Sequence, residues 1–311
     1  MNEPISLLIP TMNRPETLQN TLDHFFSSKV IPNQLVVIDQ SEKTEVANEI
    51  CDMVKEYAHK YHIESTYVHQ GEPSLTKARN NALTYAKYDL IVMSDDDVEV
   101  YDDTLFNVNQ LMSDKDIAMI GGIDDNSMKS KSCIGYVIGT KSYSKKSIGH
   151  VTKSVLGRYP QEIKGIVETE WAMGYFFVVR RNLLMEWNIN WDEKLTSYAY
   201  AEDLDFSYRY YLQAKADNKK CVLSENVRLK HLVSKEYRIP SKKDTNMYIQ
   251  NRLYLSAKWG DGHSSSMLIR WTNLCMLMLR IIKRENPLDF FKAIIYAENN
   301  RDKIKHGCFK Y

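Results

Sequence analysis

The chain lacks the marks of a secreted, membrane-spanning or nucleic-acid-binding protein. Its five cysteines (Cys51, Cys133, Cys221, Cys275 and Cys308) are odd in number, scattered and nowhere paired as CxxC. Free thiols in a reducing cytosol are therefore expected, without a disulfide framework. Neither sign of charge is in excess: 41 basic against 40 acidic residues give a formal net charge of +1. No global field then points to nucleic acid or to an acidic partner. The most apolar text, MLIRWTNLCMLMLRIIKRE at 267–285, is broken by Arg270 and Arg280. It falls short of the ~20 uninterrupted apolar residues of a membrane span. The opening MNEPISLLIPTMNRPE has too short an apolar run for a signal peptide. Repeats and low-complexity tracts are missing too. What is present is an ordinary globular composition of 311 residues, 43% hydrophobic and 26% charged. That suffices for one large domain with an extension or for two domains.

The first 120 residues alternate between two periods. SLLIP (6–10), QLVVID (34–39), STYVH (65–69), DLIVM (89–93) and IAMIG (117–121) read as strands, mostly buried ones. Between them, Leu18, Leu22, Phe25 and Phe26 fall at helical spacing, as do Ile50, Met53, Val54 and Tyr57, and then Ala78 and Ala82. Such alternation predicts right-handed βαβ units and a parallel sheet. Ligands of such sheets bind at the carboxyl ends of the strands, which gathers Pro10, Thr11, Arg14, Asp39, Arg79 and the run Asp95-Asp96-Asp97 at one edge. Further on, 130–165 reads as loops with short antiparallel strands, AEDLDFSYRYYLQAK (201–215) as a capped helix, and KCVLS and NVRLKH as short strands. The text after Pro240 is helical, interrupted by GDGHSSS (260–266).

Three adjacent aspartates repel one another and need a reason. A solvated turn is the commonest one, but this run ends a buried strand at the ligand edge. A calcium loop would need alternating ligands, a central glycine and a distal glutamate, which SDDDVE does not supply. A phosphatase nucleophile would stand on the first strand and not on the fourth. Two carboxylates on one turn can instead hold Mg²⁺ or Mn²⁺, whose open positions take the diphosphate of a nucleotide-sugar. Asp39, at a strand end, is placed to hydrogen-bond a base, and Arg79 to neutralise diphosphate charge. A metal-dependent phosphohydrolase or nucleotidyltransferase, and a silent sugar-nucleotide binding protein, remain open on these residues alone.

Five stretches in order, SLLIPTMNRPETLQNTL, LVVIDQSE, GEPSLTKARNNAL, DLIVMSDDDVE and NWDEKLTSYAYAEDLDFSYR, resemble inverting glycosyltransferases of family 2. The resemblance implies a GT-A fold, an α/β Rossmann-like domain with a mostly parallel central sheet. That domain would span 1–235, with a helical C-terminal extension at 236–311. It places Pro10, Thr11 and Arg14 in the nucleotide pocket, Asp39 on the base (typically uracil) and Arg79 on the diphosphate. Asp95 and Asp97 become the DxD pair, with Asp97 the direct metal ligand and His231 a third contact. Asp96 would be their solvated neighbour, kept with the nucleotide-binding set. Asp203 becomes the general base toward an acceptor hydroxyl, with Glu202 beside it. One departure is Gln40, an amide where the family carries a second carboxylate; another is Gln250-Asn251-Arg252-Leu253-Tyr254 in place of the Gln-x-x-Arg-Trp of processive synthases. The implied activity is metal-dependent, single-addition transfer from a UDP-sugar to a glycan or lipid-linked acceptor in bacterial surface polysaccharide assembly, by a cytoplasmic enzyme.

In the C-terminal segment, Met267, Leu268, Trp271, Leu274, Cys275, Met278, Ile281 and Ile282 share one helical face. Two readings follow: a helix packed on the catalytic domain, or a monotopic helix on the inner membrane leaflet, aided by Arg301, Lys303, Lys305 and Lys310.

Overall fold

The computed structural model describes residues 2–127, 135, 143–197, 199–233 and 241–311. Runs of aliphatic residues become strands buried on both faces: β1 (Ile5–Thr11), β2 (Gln34–Asp39), β4 (Leu90–Ser94) and β6 (Ile117–Asp124). The half-polar STYVH lies in β3 (Glu64–His69), a partly exposed strand at one end of the sheet. β1 pairs in parallel with β2 and β4, and β2 with β3.

The central sheet is mixed, not purely parallel. The run FFVVR forms β11 (Phe176–Arg180), antiparallel between β4 and β6. KCVLS and NVRLKH are not two strands: they form one, β12 (Lys220–His231), parallel to β6, with a register shift between Leu223 and Arg228. Glu225 and Asn226 stand exposed within that bulge. β5 (Val98–Val100), directly after the aspartate run, and β10 (Ile166–Glu168) pair antiparallel with β12. Between β6 and β10, β7 (Tyr143–Ser144), β8 (His150–Thr152) and β9 (Leu156–Pro160) make a small three-stranded sheet. Cys133 and part of the 130–165 stretch lie outside the described residues.

Strand side chains alternate between faces, and helices cover both. Leu7 and Ile9 face α1 (Pro15–Phe26), α2 (Thr44–Tyr61) and α4 (Thr104–Met112). Leu8 faces α3 (Leu75–Tyr85), α5 (Arg181–Glu186) and α6 (Glu202–Ala216), where Phe206 stacks on Trp191 with ring centroids 3.7 Å apart.

Four helices follow: α7 (Ser241–Trp259), α8 (Ser266–Lys283), α9 (Pro287–Asn299) and α10 (Arg301–Lys305). The expected boundary at 235/236 lies outside the described residues. A third core joins both sides of it, uniting Ile123, Tyr159, Trp171 and Leu223 with Ile249, Leu253, Phe290 and Ile304. Polar ties reinforce the junction. Fully buried Arg252 donates to the Ser154 carbonyl, Thr272 and Asn273. Fully buried Asp205 accepts from Arg209, from Lys258 at 2.8 Å and from the Trp259 indole at 3.0 Å. Removing that carboxylate takes an acceptor from partly exposed donors on both helices, although Lys258 keeps Asp192 and Arg209 keeps the Asn190 carbonyl, at a cost of about 1–3 kcal/mol. Asp205→Ala is therefore expected to melt roughly 2–12 °C lower in calorimetry; an unchanged melting temperature would show the junction to be independent of this ion pair.

Candidate active site

Parallel register sets the strand ends side by side. Thr11 is opposite Asp39 across β1 and β2, and Leu8 is opposite Met93 across β1 and β4. Asp39 and Asp95–Asp97 thus emerge on one edge. Asp39 is fully buried; its carboxylate accepts from the Ser41 amide (2.8 Å), the Ser41 hydroxyl (2.5 Å) and the Tyr67 hydroxyl (2.8 Å). Ser41 also accepts from the Asn13 amide, which ties this edge to the loop holding Arg14. Gln40 does structural work: its side-chain oxygen accepts from the Ser74 amide at 2.5 Å and so fixes the entry to α3.

Asp96 is not solvated. It is 1% exposed and accepts from Thr11 Oγ1 at 2.6 Å, with the Arg14 guanidinium 2.9 Å away. The run leaves β4 in a turn, in which Asp96 faces into the protein, Asp95 is half-buried and Asp97 lies buried beside His231. Burial pushes its carboxyl up to about 7, against the pull of Arg14 and Thr11.

Asp95, Asp97 and His231 each bring a ligand atom within 4.8 Å of the others. His231 Nε2 lies 3.2 Å from Asp97 Oδ1, and the imidazole stacks on Tyr175 with centroids 5.0 Å apart. Burial disfavours the imidazolium, but the hydrogen bond to Asp97 and the charges of Asp97, Asp95 and Asp124 prevail and raise the pKa of His231. Two carboxylates and one imidazole form a donor set suited to a divalent cation of the Mn²⁺ type.

Beside this cluster opens a cleft of about 310 Å³, lined among others by Arg79, Asp95, Trp171, Tyr200, Asp203 and His231. Asp203 stands in the first turn of α6. Its two oxygens accept from the Gly174 amide at 2.9 Å and the Leu204 amide at 2.7 Å. Gly174 is needed here: a Cβ would come 3.1 Å from the Asp203 side chain and 3.2 Å from Arg79 Nη2. Arg79 is 1% exposed, so it is no surface helix-face arginine. It pairs with Asp95 at 2.8 Å and with Glu202, and donates to the Gly174 carbonyl at 3.0 Å. One guanidinium thus serves two carboxylates and a backbone carbonyl. Burial raises the pKa of Asp203, against Arg79 and the two amides, and raises Glu202 to about 8, against Arg79. Glu202 Oε2 is buried without a hydrogen-bond partner.

The expected capped start of α6 differs in the structure. Its N-cap is Ala201 at φ 66°, with no side chain capping the helix. Ser197 (φ 62°) and Ala199 (φ 53°) are left-handed as well. Each such non-glycine residue costs about 1–3 kcal/mol and persists where the surroundings hold it. Here the core holds Leu195, Ala199 and Leu204 buried, and the turn delivers Asp203 to the cleft.

The predicted residues therefore fall into two connected groups. Pro10, Thr11, Arg14, Asp39 and Asp96 form the strand-end side, whereas Arg79, Asp95, Glu202, Asp203 and His231 line the cleft, with Asp97 joining the two through Arg14 (3.8 Å) and His231. Sequence reasoning did not single out Gly174, Ser41, Tyr67, Trp171, Tyr175 or Tyr200. Only Gly174 left a trace, as the break in the apolar run WAMGYFF.

A mixed α/β sheet with acidic residues at its strand ends and a cleft beside them describes a GT-A glycosyltransferase domain. The glycosyl transferase family 2 model matches residues 6–184, more than half of the chain, and the chain belongs to that family. No curated protein matches it significantly by sequence. Among solved structures it resembles S. aureus TarS 1-349 in complex with UDP-GlcNAc (TM-score 0.60, 15% identity, 97% of this chain and 81% of that one). It is also similar to the mannosyltransferase PcManGT of Pyrobaculum calidifontis in complex with GDP-Man and Mn²⁺ (0.55, 14%, 96% and 76%). GalNAc-T7 with UDP, GalNAc and Mn²⁺ gives 0.58 and 15%, over 88% of this chain and 55% of that one. At such identities the likeness is one of fold.

Proposed function

We propose that this glycosyltransferase moves one sugar at a time, with inversion, from a UDP-sugar to a hydroxyl of a glycan or lipid-linked acceptor in bacterial surface polysaccharide assembly. The observation that carries this reading is Asp203: a carboxylate held by the Gly174 amide faces the same cleft as Asp95 and His231. Asp39 is the base-reading residue. A carboxylate offers about four acceptor sites; Ser41 and Tyr67 supply three donors, and because Asp39 is fully buried the N–H of uracil reaches it only as the groups covering it give way. On β1, Pro10 and Thr11 lie beside Asp39, and Arg14 pairs with Asp96 at 2.9 Å.

Asp95, Asp97 and His231 would hold Mn²⁺ or Mg²⁺, which when bound offsets the charge of the departing diphosphate. Asp203 accepts the acceptor's hydroxyl proton as its oxygen bonds to the anomeric carbon and the bond to the diphosphate oxygen breaks on the opposite side. A pKa raised by burial brings this base closer to the working pH. Arg79 positions the carboxylates: it keeps Asp95 toward the metal side, and Glu202 anchors it from behind. Single addition is favoured because Gln250 binds the Lys310 backbone and Asn251 the Tyr200 carbonyl, so neither is available to a growing glycan.

A panel of nucleotides with and without Mn²⁺ tests the donor. UDP at about 100 times its dissociation constant should stabilise the protein by roughly 2.7 kcal/mol, read as a rise in melting temperature. That rise should be larger with Mn²⁺ than without. A shift with GDP or CDP in its place, or with no nucleotide, would overturn the UDP assignment.

A further inference from the structure

Helix α8 packs on the protein through Ile269, Thr272 and Asn273. The predicted apolar face does not make that contact. Met267, Trp271, Leu274, Met278, Ile281 and Ile282 point the other way and are exposed. Helix α9 repeats the arrangement: Phe290, Ala293 and Ala297 are buried, while Leu288, Phe291 and Ile295 are exposed. The two helices run antiparallel through a short turn, and the Arg270–Glu298 pair clasps their far ends at 2.5 Å. Their outward faces thus form a two-helix apolar surface directed away from the third core.

Cations border this surface. Arg284 follows α8, beside Lys283 and its partner Glu285 4.0 Å away, and exposed Lys292 stands on α9 next to Phe291. Lys292 also lines a cavity of about 390 Å³ together with Lys242, Lys243 and Lys310; Asp289 is its one acidic neighbour. Trp271 lies among the aliphatic residues, the kind of side chain that favours the boundary between hydrocarbon and headgroup. No helix among the described residues is long and apolar enough to cross a membrane, so this face can only lie along one.

We propose that the outward face of α8 and α9 binds an anionic phospholipid surface, with apolar side chains entering the acyl boundary and the Lys242/Lys243/Lys292/Lys310 cavity receiving a lipid phosphate. The charge decides for this occupant. A second copy would set the same lysines against themselves, whereas an anionic bilayer complements this cluster at the edge of the apolar face. The proposal is independent of the reaction proposed for the cleft.

The test is cosedimentation of the full chain with vesicles of phosphatidylcholine, alone or with about one third phosphatidylglycerol. Binding should require the anionic lipid and weaken as salt is raised. The double variant Met278→Glu, Ile282→Glu should lower the bound fraction roughly tenfold or more. The quadruple change of Lys242, Lys243, Lys292 and Lys310 to Gln should remove the dependence on phosphatidylglycerol. Met278 and Ile282 are 57% and 77% exposed, so the acidic variant should keep its melting temperature, which separates a lost surface from a lost fold. Failure of the wild type to bind anionic vesicles overturns the proposal, as does equal binding by the acidic variant. A wild type that is dimeric and lipid-indifferent, and becomes monomeric on Met278→Glu, would assign the face to a second copy.

Discussion

Asp203→Asn is expected to lower sugar transfer by about 10²–10⁴-fold, the usual contribution of a positioned general base. UDP and Mn²⁺ binding should stay close to wild type. The amide has nearly the same shape, and its oxygen can still accept from Gly174 or Leu204, the two donors that hold the carboxylate now. It cannot take a proton from an attacking hydroxyl. The loss should therefore fall on kcat, and titration with UDP and Mn²⁺ provides the control. Transfer near the wild-type rate would move the base assignment elsewhere in the cleft. Glu202 is the poorer alternative: it is 6% exposed, and one of its oxygens is already joined to Arg79.

Asp97→Ala should act at the earlier stage, on binding. With Asp95 and His231 alone left of the three ligands, Mn²⁺-dependent UDP binding should weaken by roughly 100-fold or more, since even partners outside the coordination sphere are worth about 10–100-fold. Calorimetric titration of UDP with and without Mn²⁺ reads the effect as the loss of the metal-dependent increment. Any metal-independent binding, supported by Asp39 with Ser41 and Tyr67, should survive. Metal-dependent binding equal to wild type would remove Asp97 from the ligand set. The two variants separate the roles cleanly, because one keeps binding without chemistry and the other loses the binding on which chemistry depends.

Strands β1, β2, β4 and β6 could be read from sequence because burial on both faces demands unbroken apolar runs, and such runs have few other uses. The direction of FFVVR could not, since an antiparallel insertion between β4 and β6 leaves the same text as a parallel strand. The bulge in β12 was likewise hidden: Glu225 and Asn226 look like a turn, and only pairing with β6 and β10 shows the chain running straight on. At the site, types and spacing were enough to single out Asp39, Arg79 and the run Asp95–Asp97, whereas Asp203 and His231 came only from the resemblance to the family. Partners were not legible. That Arg79 is buried between Asp95 and Glu202, and that Asp96 faces inward to Thr11 and Arg14, depends on contacts between residues 16 to 123 positions apart. No local pattern encodes those separations.

The contact between Asn251 and the Tyr200 carbonyl bears on how such enzymes diverge. Tyr200 lines the cleft, and the side chain that braces it, Asn251 of α7, in turn accepts from the Tyr311 hydroxyl at 2.5 Å. One wall of the reaction chamber is thus buttressed from a part of the chain that lies beyond residues 6–184. Substitutions in α7 or at the end of the chain can reshape that wall while every carboxylate stays in place. Drift in the helical segment can then alter the cleft without any change in the residues at the strand ends.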